Sequence, residues 1–222
     1  MISKEEDYMS AQNFDLCKQG FSLLGLSYFQ DKAIKMLTHL AMLNVWNQRF
    51  NLTAISGAEG MIRGHIFDSL SVVSQLPAKA HTVVDIGSGA GFPGLPLAIY
   101  CPQLSLTLLE PIAKRAWFLQ AVVQQLGLSN VRVLRLRAQQ CKPCNKFDVV
   151  LARAVAPLPK LFNQVQPLQA SRGSLFIWQH NLAKAPHFPG WNIKLQQVDI
   201  PGLGERTLLR CRKKNSRNKR DV

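Results

Sequence analysis

The sequence predicts an α/β protein: a mostly parallel, seven-stranded sheet covered on both faces by helices, its last strand antiparallel, with a helical N-terminal extension. Three observations carry this. Five apolar runs from Thr82 onward alternate with helical patterns or short loops, and strands apolar on both faces belong to parallel sheets buried between helix layers. Two further strand-like runs, "WNIKLQQVDI" and "ERTLLRCR", lie close together near the end and suit an antiparallel pair. No strand pattern occurs before Thr82, where the apolar spacing is helical.

The elements follow in order. "FDLCKQGFSLLG" spaces Phe14, Cys17, Phe21 and Leu24 at helical intervals and stops at Gly25. Ser27, with Gln30 three residues on, reads as a capping box. It would open a long amphipathic helix carrying Phe29, Ala33, Leu37, Leu40, Ala41 and Asn44 along one side, to about Arg49. A third helix is expected from Glu59 to Gln75, around "HIFDSLSVV". The strands are "TVVDI", "LSLTLLE", "VRVLRL", "FDVVLA" and "GSLFIW", and the crossover helices lie in "PGLPLAIYC", "IAKRAWFLQAVVQQLG" and "LPKLFNQVQPLQA". "NLAKAPHFPG", with its prolines and glycine, is a loop. "KKNSRNKRDV" is too polar to pack. The chain thus divides into a helical extension (1–81) packed on the core, an α/β core (82–212) and a basic tail (213–222).

Composition narrows the class. Of 222 residues, 47% are apolar, enough for a sizeable core. No run approaches the roughly 18–20 apolar residues of a membrane span, and "MISKEEDYMS" lacks the features of a signal peptide. A cytoplasmic protein without membrane attachment is expected. Five cysteines then read as reduced thiols. Cys141 and Cys144 form a lone CxxC without a second ligand pair, so a loop is expected there and no metal. The net charge is +14; the stretch 210–222 contributes +6, leaving +8 for the body. Such an excess suits an anionic partner, most simply nucleic acid, unless the protein is a soluble enzyme that happens to be basic.

The chemistry gathers around "TVVDIGSGAGFPG". After a strand, glycines let backbone approach a ligand, and the next helix offers free N–H groups. A dinucleotide fingerprint reads G-x-G-x-x-G; here its third glycine would fall on Phe92, while Gly87, Gly89 and Gly91 are evenly spaced. The pattern resembles motif I of class I S-adenosylmethionine-dependent methyltransferases. Glu110 ends the second strand, where a carboxylate accepts hydrogen bonds from both ribose hydroxyls of a nucleoside. Ala138 and Gln139, after the third strand, suit the edge of an adenine. Arg153, past the fourth apolar run, either grips a carboxylate or phosphate or forms a surface ion pair.

Together "VVDIGSGAGFPGLPLAI", "LLEPIAKRAWFL", "LRAQQ", "FDVVLARAVAPL", "WNQRFNLT" and "HIFDS" resemble the bacterial 16S ribosomal RNA guanine-N7 methyltransferase family (RsmG, glucose-inhibited division protein B). The resemblance runs from about Ser27 to "GERTLL". It implies S-adenosylmethionine contacts at Gly87, Phe92, Ala138, Gln139 and Arg153; the glycine turn and the strand-end carboxylate add Gly89 and Glu110 to the same expected site. It also implies methylation at N7 of guanine 527, with 16S rRNA or the small ribosomal subunit as partner. A monomer is expected, although the sequence carries no feature that sets the oligomeric state. The sequence departs from the family at Gln139 (commonly acidic), at Gly64 (commonly Arg before the histidine) and at Ile177–His180, where a lysine is lost. The basic tail is expected to compensate in RNA affinity.

Guanine N7 carries a lone pair and no proton. Methyl transfer to it needs alignment and no general base, and the sequence offers no catalytic nucleophile. An exocyclic-amine enzyme would show an Asn- or Asp-Pro-Pro-aromatic run where this chain has "ARAVAPL". His65 and Asp68 share a helix face and either hold guanine or phosphate, or anchor the helix to the sheet. Lys114 and Arg115 either touch RNA phosphate or form a solvated helix face. The alternatives are a methyltransferase acting on another acceptor and a non-catalytic RNA-binding protein that keeps the fold.

Overall fold

The computed structural model describes residues 7–142, 146–153, 157–179 and 182–214. Two helices open the chain. α1 (Ala11–Leu23) is capped by Ser10, whose hydroxyl accepts from the Asn13 N–H. α2 (Gln30–Phe50) starts directly after Phe29, which is extended and makes no side-chain cap bond. The capping box expected at Ser27 therefore does not form; the helix begins at the residue that should have been its third. Asp31 in the first turn still favours the helix dipole. Asn51 closes α2 in the left-handed conformation, φ 48°.

The third helix is not uniform. It runs as α3 (Ala58–Met61), a π-helical turn (Ile62–Phe67), α4 (Asp68–Leu70) and a 3-10 turn (Val73–Gln75). His65 lies in the π turn and Asp68 directly after it at the start of α4, and both are buried.

The sheet contains β1 (Thr82–Ile86), β2 (Ser105–Leu109), β3 (Val131–Leu134), β4 (Phe147–Arg153), β5 (Gln169–Gln179), β6 (Trp191–Ile200) and β7 (Gly204–Lys213) in the order β3-β2-β1-β4-β5-β7-β6. β1–β5 pair in parallel, while β7 runs antiparallel to both β5 and β6. The expected seven strands and reversed final strand are present. Crossover helices are α5 (Gly94–Tyr100), α6 (Ala113–Gln125) and α7 (Leu158–Val165). α7 is shorter than expected and β5 longer, because Pro167 cannot continue a helix. β7 extends through Lys213, one residue past the expected core boundary, and Lys213 Nζ donates to the Gln166 carbonyl at 2.7 Å.

Phe21, Leu40 and Phe67 from the N-terminal helices share one core with Leu95, Leu108 and Phe118. The helical extension is thus built into the face covered by α5 and α6. On another face α7 buries Leu161, Phe162 and Val165 against Val84, Val150 and Leu175. Among the described residues no helix is long and apolar enough to cross a membrane.

Candidate functional site

β1 delivers the chain into the glycine turn. Gly87, Gly89 and Gly91 have φ of +65°, +57° and +96°, a region that L side chains rarely adopt. At Gly91 space is also lacking, since a Cβ would strike Leu95 and crowd Leu119. At Gly89 a Cβ would meet only the Gly87 carbonyl, at 3.8 Å, so the approach is open.

Two carboxylates fasten the turn from below. Asp85 is buried, and its Oδ2 accepts from the Gly94 N–H at 3.0 Å, tying the start of α5 to the end of β1. A Cβ on Gly94 would sit 2.7 Å from that oxygen, which is why a glycine stands there. Burial pushes the Asp85 carboxyl up to about 7, opposed by the Gly94 bond. Glu110, 2% exposed, follows β2 directly. Its Oε2 accepts from the Gly89 N–H at 2.9 Å and its Oε1 from the Ile112 N–H at 2.8 Å. Each oxygen retains a second lone pair for a ligand hydroxyl.

A crevice opens beside this turn. Gly87, Pro111, Ala138, Gln139, Lys160 and Gln164 are among its walls, at the carboxyl ends of the first three strands and against α7. In open α/β sheets, ligands bind at such a position. Ala138 is buried and Gln139 exposed at the rim.

The other expected side chains do not line this crevice, although the Arg153 guanidinium lies 5.6 Å from the Phe92 ring centroid beside the turn. The Phe92 ring does not face the crevice: it is stacked between His65, 4.2 Å away at 6°, and His39, 4.7 Å away at 21°. Only its backbone belongs to the turn. Arg153 also points toward the helical extension. Its Nη1 donates to Asp68 Oδ2 at 2.9 Å and to the Gly64 carbonyl at 3.3 Å, and its Nη2 lies 3.2 Å from His65 Nδ1. Because arginine only donates, His65 Nδ1 must accept. Its Nε2–H then donates to Thr53 Oγ1 at 2.9 Å. Thr53 is itself clamped: Asn47 Oδ1 accepts from the Thr53 N–H at 2.9 Å and from the Leu52 N–H at 2.6 Å. "WNQRFNLT" and "HIFDS" thus meet in one chain of contacts running from Asn47 through Thr53 and His65 to Arg153 and Asp68. Trp178 Nε1 donates to the Asp68 carbonyl at 3.0 Å, linking β5 to the same group. Lys114 is exposed on α6, Arg115 turns inward with its Nε buried, and neither lines the crevice.

His39 was not singled out by the sequence. Its Nε2 lies 2.8 Å from the Ala90 carbonyl, within the glycine turn. The only signal was a histidine on the buried side of α2. Cys17, Cys101, Cys141 and Cys211 are free and buried, with Cys17 and Cys211 pushed up to about 12 by burial. Cys144, "AVA" of the run after β4, His180 and residues 215–222 lie outside the described residues. Among the described residues no three His, Cys, Asp or Glu side chains could share a metal ion.

Two expectations arise here. Arg153→Met should lower unfolding free energy by roughly 3 kcal/mol, because it strips Asp68 and His65 of a donor in a mostly buried site. Arg153→Lys should recover only part of it, lacking the fork that reaches three acceptors; urea melts measure both. Stability should also fall with acid. Burial lowers His39 to about 4 and His65 to about 3, Arg153's charge adding to the latter. Folded-state pKa values below the unfolded value of about 6.5 mean stability is present above pH ~6.5 and lost as pH falls toward 3–4. Asp85 acts oppositely: its raised pKa favours the fold at low pH, a benefit lost as pH rises through about 7. Two histidines outweigh one aspartate between about pH 4 and 6.5. Melts across that range should show stability rising with pH, and His39→Gln should flatten the rise.

The sheet separates this protein from the dinucleotide-binding relatives of its turn. Their order is 3-2-1-4-5-6, whereas here a reversed β7 is inserted between β5 and β6. That arrangement, with a carboxylate-fastened glycine turn, defines the class I methyltransferase fold. Solved structures agree: a SAM dependent methyltransferase from Aquifex aeolicus has TM-score 0.52 at 18% identity, over 68% of this chain and 92% of that one. Ribosomal protein L11 methylase from Lactobacillus delbrueckii subsp. bulgaricus has TM-score 0.53 at 14% identity, over 72% and 81%. Sequence relatives go further. "Ribosomal RNA small subunit methyltransferase G" of Nitrosococcus oceani is 39% identical over 161 residues, 72% of this chain and 74% of that protein. The protein of the same name from Legionella pneumophila (strain Lens) is 35% identical over 192 residues, 82% and 88%. The chain belongs to the GidB family, rRNA small subunit methyltransferase G, whose family model matches residues 32–185. It is an rRNA methyltransferase.

Proposed function

We propose that this protein transfers a methyl group from S-adenosylmethionine to N7 of guanine 527 in 16S rRNA, in the cytoplasm and as a monomer. In this reading residues 1–81 are an extension packed on the methyltransferase core. The observation that carries it is Glu110: a buried carboxylate bonded to the glycine turn, with lone pairs to spare, beside a crevice that reaches Ala138 and Gln139. A nucleoside fits this donor and acceptor set. Glu110 would hold the ribose hydroxyls, and Ala138 and Gln139 would flank the adenine. Gly87 and Gly89, lacking side chains, would let the amino-acid portion come close to the backbone of the turn. When bound, the cofactor supplies an electrophilic methyl on sulfonium.

The protein's own task is then alignment. N7 attacks with a lone pair and loses no proton, so no base is required, and the buried histidines are held neutral by burial. Arg153, His65 and Asp68 act as positioning residues: they fix the helical extension against the ends of β4 and β5. Phe92 and His39 brace the back of the turn. Exposed Lys114 remains available to RNA phosphate.

The test is incubation of unmodified 16S rRNA with the protein and labelled S-adenosylmethionine, followed by mass mapping of the modified base. Label at N7 of guanine 527 supports the reading. Label at another base, or on a protein acceptor, refutes the site assignment, and absence of cofactor binding refutes the enzyme reading.

A further inference from the structure

The outermost strand pair gathers three basic side chains and an asparagine around one cavity. In the β6–β7 register Asn192 stands opposite Arg212 and Lys194 opposite Arg210. Strand alternation puts all four on one face, where they line a single cavity. Like charges directly opposite one another are unfavourable in a sheet. Among the described residues no carboxylate pairs with them; the ion pairs there are Arg63–Glu59 and Arg153–Asp68.

The cations are also held in place. Arg212 Nε donates to Ser174 Oγ at 3.2 Å. The Arg210 guanidinium lies over the Phe176 ring, 5.7 Å from its centroid, and its buried Nε bonds no other described group. Burial first, and then the neighbouring Arg212 charge, lower the Arg210 pKa. The sheet order puts this cavity toward the β6 edge, away from the crevice at the ends of β1–β3.

We propose that Asn192, Lys194, Arg210 and Arg212 bind a backbone phosphate of the rRNA substrate, anchoring it at a point separate from the methyl-transfer crevice. This rests on the rRNA methyltransferase reading. The donors match phosphate oxygens, Arg210 and Arg212 in particular, and the +14 chain already favours a polyanion.

The test compares wild type, Lys194→Gln and the Lys194→Gln/Arg212→Gln double variant in steady-state methylation of 16S rRNA and in RNA binding across salt. The double variant should raise the RNA KM about 3–10-fold near 0.15 M salt and flatten the slope of log K against log[salt] by about 1. kcat and S-adenosylmethionine affinity should not change. Lys194→Gln removes an exposed side chain, is expected to leave the fold intact, and should show a smaller effect of the same sign. If wild type methylates rRNA while both variants keep its KM and salt slope, the anchoring site is refuted alone. If wild type binds S-adenosylmethionine but neither binds nor methylates rRNA, both this site and the reading beneath it fail.

Discussion

Glu110→Ala is expected to weaken S-adenosylmethionine binding at least about 100-fold while leaving RNA affinity nearly intact. Hydrogen bonds to a charged group contribute roughly 1.5–3 kcal/mol each. Losing two ribose contacts therefore costs about 3 kcal/mol or more, and every 1.4 kcal/mol is tenfold. The loss should exceed that figure because the same carboxylate holds the Gly89 and Ile112 N–H groups, so the turn itself relaxes. Glu110→Gln should be nearly as damaging. Its amide has one oxygen, and its NH2 must face either the Gly89 or the Ile112 N–H, donor against donor. Calorimetric titration with S-adenosylhomocysteine measures the loss; a Gln variant with wild-type affinity would refute the role given to Glu110.

Gly91→Ala should lower unfolding free energy by about 3–5 kcal/mol, a large part of a typical domain's stability. Two costs add. A φ of +96° is strained for any residue bearing a Cβ, by roughly 1–3 kcal/mol. The new methyl would also overlap Leu95 and crowd Leu119 in the core beneath the turn, and overpacking costs about 1–3 kcal/mol more. Gly89→Ala makes the control. Its φ of +57° carries the strain of about 1–2 kcal/mol, but its Cβ would meet no side chain within 4 Å. It should be the milder of the two in thermal melts.

Elements with a strong period were legible in the sequence. Buried strands and the long amphipathic α2 announce themselves through apolar spacing, and the last two strands through their proximity. The placement of Glu110, Ala138 and Gln139 just past the ends of β2 and β3 was also readable, because strand ends in a parallel sheet share one edge. Ser27 failed as a cap because a capping box is a local side-chain pattern that needs the helix to start right after it, and the chain stays extended through Phe29 before α2 begins. The orientation of Phe92 and Arg153 was not legible for a different reason. Both lie in motifs next to the crevice, yet their side chains turn to partners 27 to 88 positions away: His65 for both, and His39 and Asp68 as well. Position along the chain gives the neighbourhood of a side chain, and only the tertiary contacts give its direction. The π turn at Ile62–Phe67 likewise has no period of its own to announce it.

The three stacked rings of His39, Phe92 and His65 bear on how this protein can be dissected. A fragment beginning at Thr82 would retain every strand, yet Phe92 would lose the aromatic neighbours on both of its sides, and the Ala90 carbonyl its imidazole. The piece that looks excisable on a topology diagram is therefore a buttress for the ligand-facing loop. Shortened versions for structural or screening work should keep α2 and the π turn even where α1 is trimmed.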